Sequence, residues 1–216
     1  MNRPFLLIIA LGALLFAGCN DKPSSDRIPP GDYFPLVVGD SWTYRMAPGT
    51  KIYEAKVTAS RMVGSTKTYA MAVEETYSYL VERPDGVYQY GQGDPSQPTH
   101  AVLFDPPQLV YKLPFHVGDS WETPVLSEPT QKKSETVYVD GQVDSLESVK
   151  VPAGEFRCVR VTVDDPRDSP ADRTDLWFAP NVGIVKTVTY IAVGAGKPKT
   201  TTTELLKYRL SNTPAP

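Results

Sequence analysis

Serines and histidines are the first residues to weigh as catalytic groups in this chain of 216 residues. Ser41 and Ser120 each follow an aspartate within the sequence "GDSW", which is not the Gly-x-Ser-x-Gly elbow that exposes the nucleophile of many hydrolases. The two histidines, His100 and His116, have no obvious acidic or nucleophilic partner. An enzyme, such as a hydrolase, is therefore the least favoured hypothesis, and we assign no catalytic residue.

Metal ligands are equally sparse. Two cysteines and two histidines are too few, and stand at no recognisable spacing, for a zinc cluster. The segment "DDPRDSPADRTD" could offer carboxylate oxygens to calcium, but it lacks the spacing and the glycine of a known calcium loop. We interpret it as a solvated hairpin tip and predict no metal and no cofactor, with a calcium site as the alternative. Its acidic residues are Asp164, Asp165, Asp168, Asp172 and Asp175.

Cys19 has the surroundings that predict a definite chemistry. The chain starts with Met-Asn-Arg, continues with the apolar run "FLLIIALGALLFA" and closes with Gly18 and Cys19. This order is typical of a secretory signal peptide. About thirteen apolar residues at 1.5 Å each are too short to cross a hydrocarbon layer of roughly 30 Å. We predict that residues 1–18 are a signal peptide.

The end of this segment, "FAGC", resembles the bacterial lipoprotein signal, in which small residues precede a cysteine that is lipidated and becomes the mature N-terminus. The resemblance implies that Cys19 carries acyl chains such as palmitate, each contributing roughly 0.8 kcal/mol per buried CH₂ to membrane attachment. An Asp directly after the cysteine favours the inner membrane in proteobacterial lipoproteins. Asn20 stands there in this chain, so we expect the outer membrane, on the periplasmic side. The alternative is an ordinary cysteine beside an ordinary cleavage site.

The composition of the chain limits its possible partners and disulfides. The formal charge is −3, with acidic and basic residues scattered along the chain, so no basic patch indicates nucleic acid as a partner. With Cys19 acylated, Cys158 would be the only thiol left, which excludes an intramolecular disulfide. We predict a flexible tether over residues 19–32, a single β domain over 33–212 and a disordered tail over 213–216.

The hydrophobic period beyond the tether is two. In "YAMAVEETYSYLV", residues Tyr69, Met71, Tyr77 and Tyr79 fall on one face, and "KIYEAKVTA" alternates in the same way, as half-buried strands do. Turn sequences recur between such segments, which predicts an all-β fold: an antiparallel meander of about ten strands forming a single barrel, half-barrel or curved sheet. The clearest strands are 143–151, 155–164, 173–179, 184–193 and 200–210. The sequence of residues 91–112 contains several prolines and predicts a long loop that could serve as a lid.

One motif is repeated, as "PLVVGDSW" at residues 35–42 and "PFHVGDSW" at residues 114–121. Glycine adopts backbone angles that other residues avoid, and aspartate accepts hydrogen bonds from nearby backbone, so each copy predicts a tight turn that delivers a tryptophan to the start of a strand. We interpret the copies as structural corners, with a duplicated functional site or a duplicated half-domain as alternatives. The residues concerned are Gly39, Asp40 and Trp42 in the first copy and Gly118, Asp119 and Trp121 in the second.

Two further segments read as hairpins. "VPAGEF" places Pro152 and Gly154 where a bulged three-residue turn needs them. "DLWFAPNVGIVKT" reads as strand, turn and strand, with Trp177 available to the core. Together with "YFPLVVGDSWTY", these segments resemble a group of uncharacterised bacterial lipoproteins and exported β-rich proteins of unknown function. The resemblance implies an antiparallel β fold and no catalytic residue. A looser likeness to half-barrel carriers of the LolA and LolB type rests on architecture and location alone.

The leading functional hypothesis is a lipid-anchored, non-catalytic binding or carrier module for an apolar small molecule or lipid. Its ligand-facing candidates are Tyr69, Met71, Tyr77 and Tyr79. The alternative is a structural or assembly protein of the outer membrane that presents a surface or a strand edge to an envelope protein. The two differ in whether the interior of the sheet is open or filled, because inward aromatic residues are more often plain core.

Overall fold

The computed structural model describes residues 27–93, 101–126, 136–167, 172–193 and 197–211. Within these ranges the chain forms twelve β-strands and no helix. The predicted all-β fold is confirmed, with twelve strands in place of about ten. The strands are β1 Ser41–Ala47, β2 Lys51–Val63, β3 Thr66–Val73, β4 Thr76–Arg83, β5 Gly86–Gly93, β6 Val102–Lys112, β7 Ser120–Leu126, β8 Thr136–Val151, β9 Gly154–Asp164, β10 Arg173–Ala179, β11 Gly183–Ile191 and β12 Lys199–Arg209.

All twelve strands belong to one antiparallel sheet, in the order β6-β5-β4-β3-β2-β1-β12-β11-β10-β9-β8-β7. Strands β1 and β12 pair along the whole of β1 and so join the start of the meander to its end. The sheet curls until its edge strands β6 and β7 touch each other, and it is nearly closed into a barrel. Within the described ranges these two edges share no backbone ladder. Instead, the Thr123 hydroxyl donates to the Leu109 carbonyl over 2.6 Å.

The barrel divides into two meanders of six strands each. Strands β1–β6 (residues 41–112) form the first half, and strands β7–β12 (residues 120–209) form the second half. Each half begins directly after a "VGD" turn. The β1–β12 pair and the β6–β7 seam are the two places where the halves meet. The structure therefore agrees with the duplicated half-domain that the repeated motif suggested.

The prediction of one strand over residues 69–81 is wrong. Glu74 and Glu75 form a two-residue turn, in which Glu74 has a φ of 53°, and Val73 pairs with Thr76 across a hairpin. Residues paired across two antiparallel strands share a face. Met71 therefore shares its face with its partner Ser78, and Tyr77 and Tyr79 point to the opposite face. The turn moves the alternation by one position, which the sequence period conceals.

The prediction of a loop over residues 91–112 is wrong at both ends, because residues 91–93 belong to β5 and residues 102–112 form the edge strand β6. Pro106 and Pro107 lie inside this strand, beside a shift of register against β5. An edge strand tolerates prolines because one of its sides needs no hydrogen-bond donor. Residues 94–100 lie outside the described ranges.

The last part of the predicted tether contacts the barrel. The Asn181 N–H donates to the Asp32 carbonyl over 2.6 Å, and the Asp32 N–H donates to the Asn181 side chain over 3.0 Å. Tyr33 and Phe34 then enter the core, where their rings lie 5.3 Å from Phe115 and 5.6 Å from Tyr111. This N-terminal segment fills the end of the barrel at which strands β1 and β7 begin. Residues 19–26 and 213–216 lie outside the described ranges.

Candidate functional site

The two "GDSW" corners share one backbone geometry. In each corner the aspartate N–H donates to the carbonyl three residues earlier, and the glycine N–H donates to a valine on the next strand. The donor and acceptor pairs are Asp40–Val37 (2.9 Å) and Gly39–Val57 (2.8 Å) in the first corner, and Asp119–His116 (3.0 Å) and Gly118–Val143 (2.8 Å) in the second. Both glycines have a positive φ, 103° and 93°, which costs a residue with a side chain conformational strain. The corners start equivalent strands, as the repeated sequence predicted.

The two corner aspartates have different surroundings. The Asp40 carboxylate is 1% exposed and accepts from the backbone N–H groups of Val37 and Ser211, over 3.0 and 2.6 Å. Asp119 instead ion-pairs at the surface with Lys112 over 3.6 Å and contacts the His116 ring over 3.3 Å. The first corner therefore holds the C-terminal end of β12, whereas the second stays open to solvent.

The two corner tryptophans are both buried, Trp42 at 4% and Trp121 at 8% exposure. The Trp42 indole N–H donates to the Val182 carbonyl over 2.6 Å. Trp121 lies so close to Gly141 that a Cβ there would be 2.2 Å from its ring. These contacts place both tryptophans in the core and make Gly141 a requirement of the second corner.

The other predicted structural residues lie in the second half. Trp177 is 9% exposed and belongs to the buried core cluster. Its indole N–H donates to the Glu147 carboxylate over 2.5 Å, and its ring lies beneath the side chains of Arg160 and Lys186. Pro152 and Gly154 flank the tip of the β8–β9 hairpin. From that tip the Ala153 N–H donates to the Leu205 carbonyl on β12, over 3.0 Å.

The acidic segment does not gather its carboxylates. Asp175 lies on β10, 1% exposed, with Arg160 at 2.6 Å and Arg173 at 2.8 Å. Burial alone would raise the pKa of Asp175, but the hydrogen bonds from Arg173 and Arg160 outweigh it and lower that pKa. Asp165 pairs with Arg167 at the hairpin tip, and Asp168 lies outside the described ranges. In the part of the chain that the structure describes, no three potential ligands are close enough to hold a metal.

The candidate site is an apolar cavity of about 260 Å³ inside the barrel, bordered mainly by its first half. Its wall comes from strands β1–β6, from β11 and β12, and from the buried N-terminal segment. No charged side chain contributes to its wall among the described residues. The side chains that define it are Phe34, Trp42, Tyr44, Tyr53, Met71, Val73, Ser78, Leu80, Gln89 and Tyr111. We call it the interior cavity.

Of the four predicted ligand-facing residues, only Met71 lines the interior cavity. Tyr69 packs against the core beside it. Tyr77 points to the opposite face, and Tyr79 lies there in a separate cluster with Ala70 and Tyr90, its hydroxyl accepting from Arg61 over 3.1 Å. The hairpin turn at Glu74 and Glu75, which the sequence analysis missed, explains why Tyr77 and Tyr79 were assigned to the wrong face.

Three tyrosines that the sequence did not single out as ligand-facing line the cavity instead: Tyr44, Tyr53 and Tyr111. The Tyr44 hydroxyl donates to the Ile184 carbonyl over 2.8 Å. Burial, together with the neighbouring hydroxyls of Tyr53 and Tyr111, raises the pKa of Tyr44. Burial raises the pKa of Tyr111 to about 12. All three therefore stay neutral at physiological pH. Alternation in "KIYEAKVTA" did place Tyr53 on an inward face.

A second, larger cavity of about 800 Å³ lies at the end of the barrel, between the N-terminal segment, the β4–β5 turn and residues 113–117. Charged side chains, including Arg27, Glu82 and Arg83, contribute to its wall. Burial and the nearby Asp32 raise the pKa of Glu82 to about 7. This charged groove is a poorer candidate for an apolar ligand than the interior cavity.

Across the described residues, we find no helix with the length and hydropathy needed to cross a membrane. No curated protein matches the sequence significantly. Three solved structures are similar at 15% identity: a protein described as a lipoprotein from Parabacteroides distasonis (TM-score 0.42, covering 84% of this chain and 100% of the other), an exported protein with a YmcC-like fold from Bacteroides fragilis (0.41, 84% and 100%) and the hypothetical lipoprotein YmcC from Escherichia coli (0.36, 83% and 86%).

The family match covers the part of the chain that holds the "VPAGEF" and "LWFAPNVG" motifs. It confirms the predicted resemblance to proteins of unknown function, whereas the likeness to LolA and LolB stays a prediction. Over residues 119–200, the chain is similar to the DUF3108-like family.

Proposed function

We propose that the protein is a lipid-anchored, non-catalytic binding or carrier module of the bacterial cell envelope that holds an apolar ligand in the interior cavity. The observation that carries this proposal is an apolar space of about 260 Å³ inside the barrel, whose wall contains no charged side chain among the described residues. Small-molecule sites are concave, mostly apolar and lined by a few polar groups. The interior cavity has these properties, with a volume slightly below the roughly 300 Å³ at which the usual size range of such sites begins.

Ligand binding is tested on a chain that begins at Asn20, and so keeps every residue that the structure describes. Native mass spectrometry of this chain, purified without detergent, should detect a co-purifying apolar molecule, and an environment-sensitive apolar dye should bind. Val73→Phe should reduce dye binding at least tenfold, because the larger ring would occupy the cavity that Val73 lines. Ile52→Phe is the matched control, because Ile52 is 60% exposed on the outside of β2. Equal dye binding by both variants would contradict the proposal.

The location follows from Cys19 and its lipoprotein-like surroundings. The similar solved proteins are themselves described as lipoproteins or as exported. We expect the mature protein to begin at Cys19, to carry acyl chains and to fractionate with the outer membrane. Cys19→Ala should leave an uncleaved precursor. A mature protein that is cut at another residue and carries no lipid would overturn this part of the proposal.

A second candidate is an envelope scaffold that offers a strand edge to a protein partner. Val102 and Leu103, on the edge strand β6, are 59% and 52% exposed, and an unpaired edge can accept a strand from another chain. This candidate predicts that the protein binds no apolar dye, and that a Val102→Lys substitution abolishes capture of the envelope partner. Dye binding that Val73→Phe removes would favour the interior cavity over the edge.

A further inference from the structure

The hydroxyl groups of the three cavity tyrosines are not equally satisfied. Tyr44 donates to Ile184, and Tyr53 faces the Thr203 side chain. For Tyr111, no hydrogen-bond partner exists among the described residues, and burial is the one cause of its raised pKa. Buried tyrosine hydroxyls usually have a partner, because an unpaired polar group in an apolar site is costly. Tyr111 is partly buried and lines the interior cavity, so a molecule bound there could supply the partner that the described protein groups do not.

The ring of Tyr111 is held firmly in place. It lies 4.9 Å from the Phe178 ring, edge to face, and 5.6 Å from the Phe34 ring. Phe178 is fully buried, so the ring has little freedom to turn its hydroxyl elsewhere. A fixed hydroxyl inside an apolar wall gives orientation and specificity to a bound molecule.

The wall also restricts the charge of the ligand. No Lys, Arg, His, Asp or Glu side chain lines the interior cavity among the described residues. A charged group enclosed there would lose its hydration without gaining a counter-ion, which is far more costly than enclosing a neutral group. The enclosed part of the ligand must therefore be uncharged.

Building on the proposed function, we propose that the ligand is a neutral amphiphile with an apolar chain that fills the interior cavity and a hydroxyl or ester oxygen that hydrogen-bonds the Tyr111 hydroxyl. Met71, Val73 and Leu80 contact the chain. Tyr111 selects against molecules that lack the oxygen, because they leave its hydroxyl unpaired.

The test compares decane, 1-decanol and decanoate as competitors of a bound apolar dye, using the chain that begins at Asn20. In the wild-type protein, 1-decanol should bind more tightly than decane by about three- to tenfold, the usual worth of one neutral hydrogen bond. Decanoate at pH 8 should bind most weakly. Tyr111→Phe should remove the preference for 1-decanol over decane and leave decane binding unchanged or slightly tighter. Circular dichroism checks that the variant keeps its fold.

The matched control is Tyr53→Phe, which removes a hydroxyl from the same cavity but leaves Tyr111 in place, and which should keep the 1-decanol preference. A preference that survives in Tyr111→Phe, or decanoate binding more tightly than 1-decanol, would overturn the inference while the proposed function stands. Failure of the wild-type protein to bind the dye or any competitor would instead overturn the proposed function itself.

Discussion

The two halves of the barrel have the same strand order and the same starting corner but different interiors. In the second half the inner residues Val143, Val159, Val161 and Phe178 are no more than 1% exposed. In the first half, Val57 and Val87 are buried just as completely, but Met71, Val73 and Ser78 are only partly buried and line the interior cavity. The same framework therefore supports either a filled core or an open one. The sizes and polarities of a few inner side chains decide which of the two forms.

The two places where the halves meet differ in their backbone hydrogen bonding. Strands β1 and β12 form a full ladder, whereas the equivalent edges β6 and β7 are linked by the Thr123 hydroxyl. One side of the seam is β6, the last strand of the first half, and Tyr111 of this strand lines the interior cavity. The open interior and the unpaired edge thus occupy adjoining parts of the molecule.

The largest expected effect comes from emptying either corner. Trp42→Ala and Trp121→Ala should each lower the free energy of unfolding by about 3 to 5 kcal/mol, the usual penalty for deleting a large buried aromatic side chain. Chemical denaturation measures this change. Similar losses of unfolding free energy in both variants would support the equivalence of the two corners. Tyr138→Ala is the control, because Tyr138 is 54% exposed. A loss under about 1 kcal/mol together with lost ligand binding would mean that the tryptophan serves a site rather than the core.

The contrast between the interiors predicts unequal costs for the same substitution. Val161→Ala in the second half should lower the free energy of unfolding by about 2 to 3 kcal/mol, since Val161 is fully buried and its truncation leaves a void. Val73→Ala in the first half should cost less than about 1 kcal/mol, because it only enlarges a cavity that already exists. Urea titrations of both variants give the comparison. Equal costs would show that the first half is as tightly packed as the second.

The seam predicts a smaller effect. Thr123→Val keeps the shape of the side chain but removes the hydrogen bond to the Leu109 carbonyl, and should cost about 1 kcal/mol. Amide hydrogen exchange should increase in β6 and β7 while the β1–β12 pair stays protected. Thr58→Val, which removes a hydroxyl bonded to Ala70 on the other side of the first half, serves as the control. Unchanged exchange at the seam would mean that other contacts hold the edges together.

The smallest effect concerns pH. The pKa of Glu82 is raised from 4.5 to about 7 in the folded protein, by burial and by Asp32. A raised pKa means that the folded state holds the proton more tightly, so the free energy of unfolding should fall as the pH rises from about 4.5 to 7. Glu82→Gln should flatten this decline, with the gain over wild type seen at pH 8 and absent at pH 4. Thermal unfolding at the two pH values measures it. A variant whose advantage is the same at both values would contradict the assignment.

The interior was less predictable from the sequence than the fold. Residues 173–179 were predicted as a strand with the bounds that β10 has, because side-chain alternation and turn residues are local properties. Tyr77 and Tyr79 were placed on the wrong face, because a two-residue turn at Glu74 and Glu75 leaves the hydrophobic period looking continuous. Strand β6 was missed because its two prolines read as a loop until the neighbouring edge is known.

The sequence by itself determined the β class, most of the hairpin turns and the repeated corner, since each depends on residues close together in the chain. Lipid attachment at Cys19 stays a prediction of the sequence. Only the tertiary structure decided which inner faces meet. It brought Tyr44, Tyr53 and Tyr111 to one cavity, although Tyr111 lies 58 or more residues further along the chain than the other two. The three side chains meet because the sheet curls, which brings β1 and β6 together from opposite ends of a meander. No local sequence pattern records how far a sheet curls.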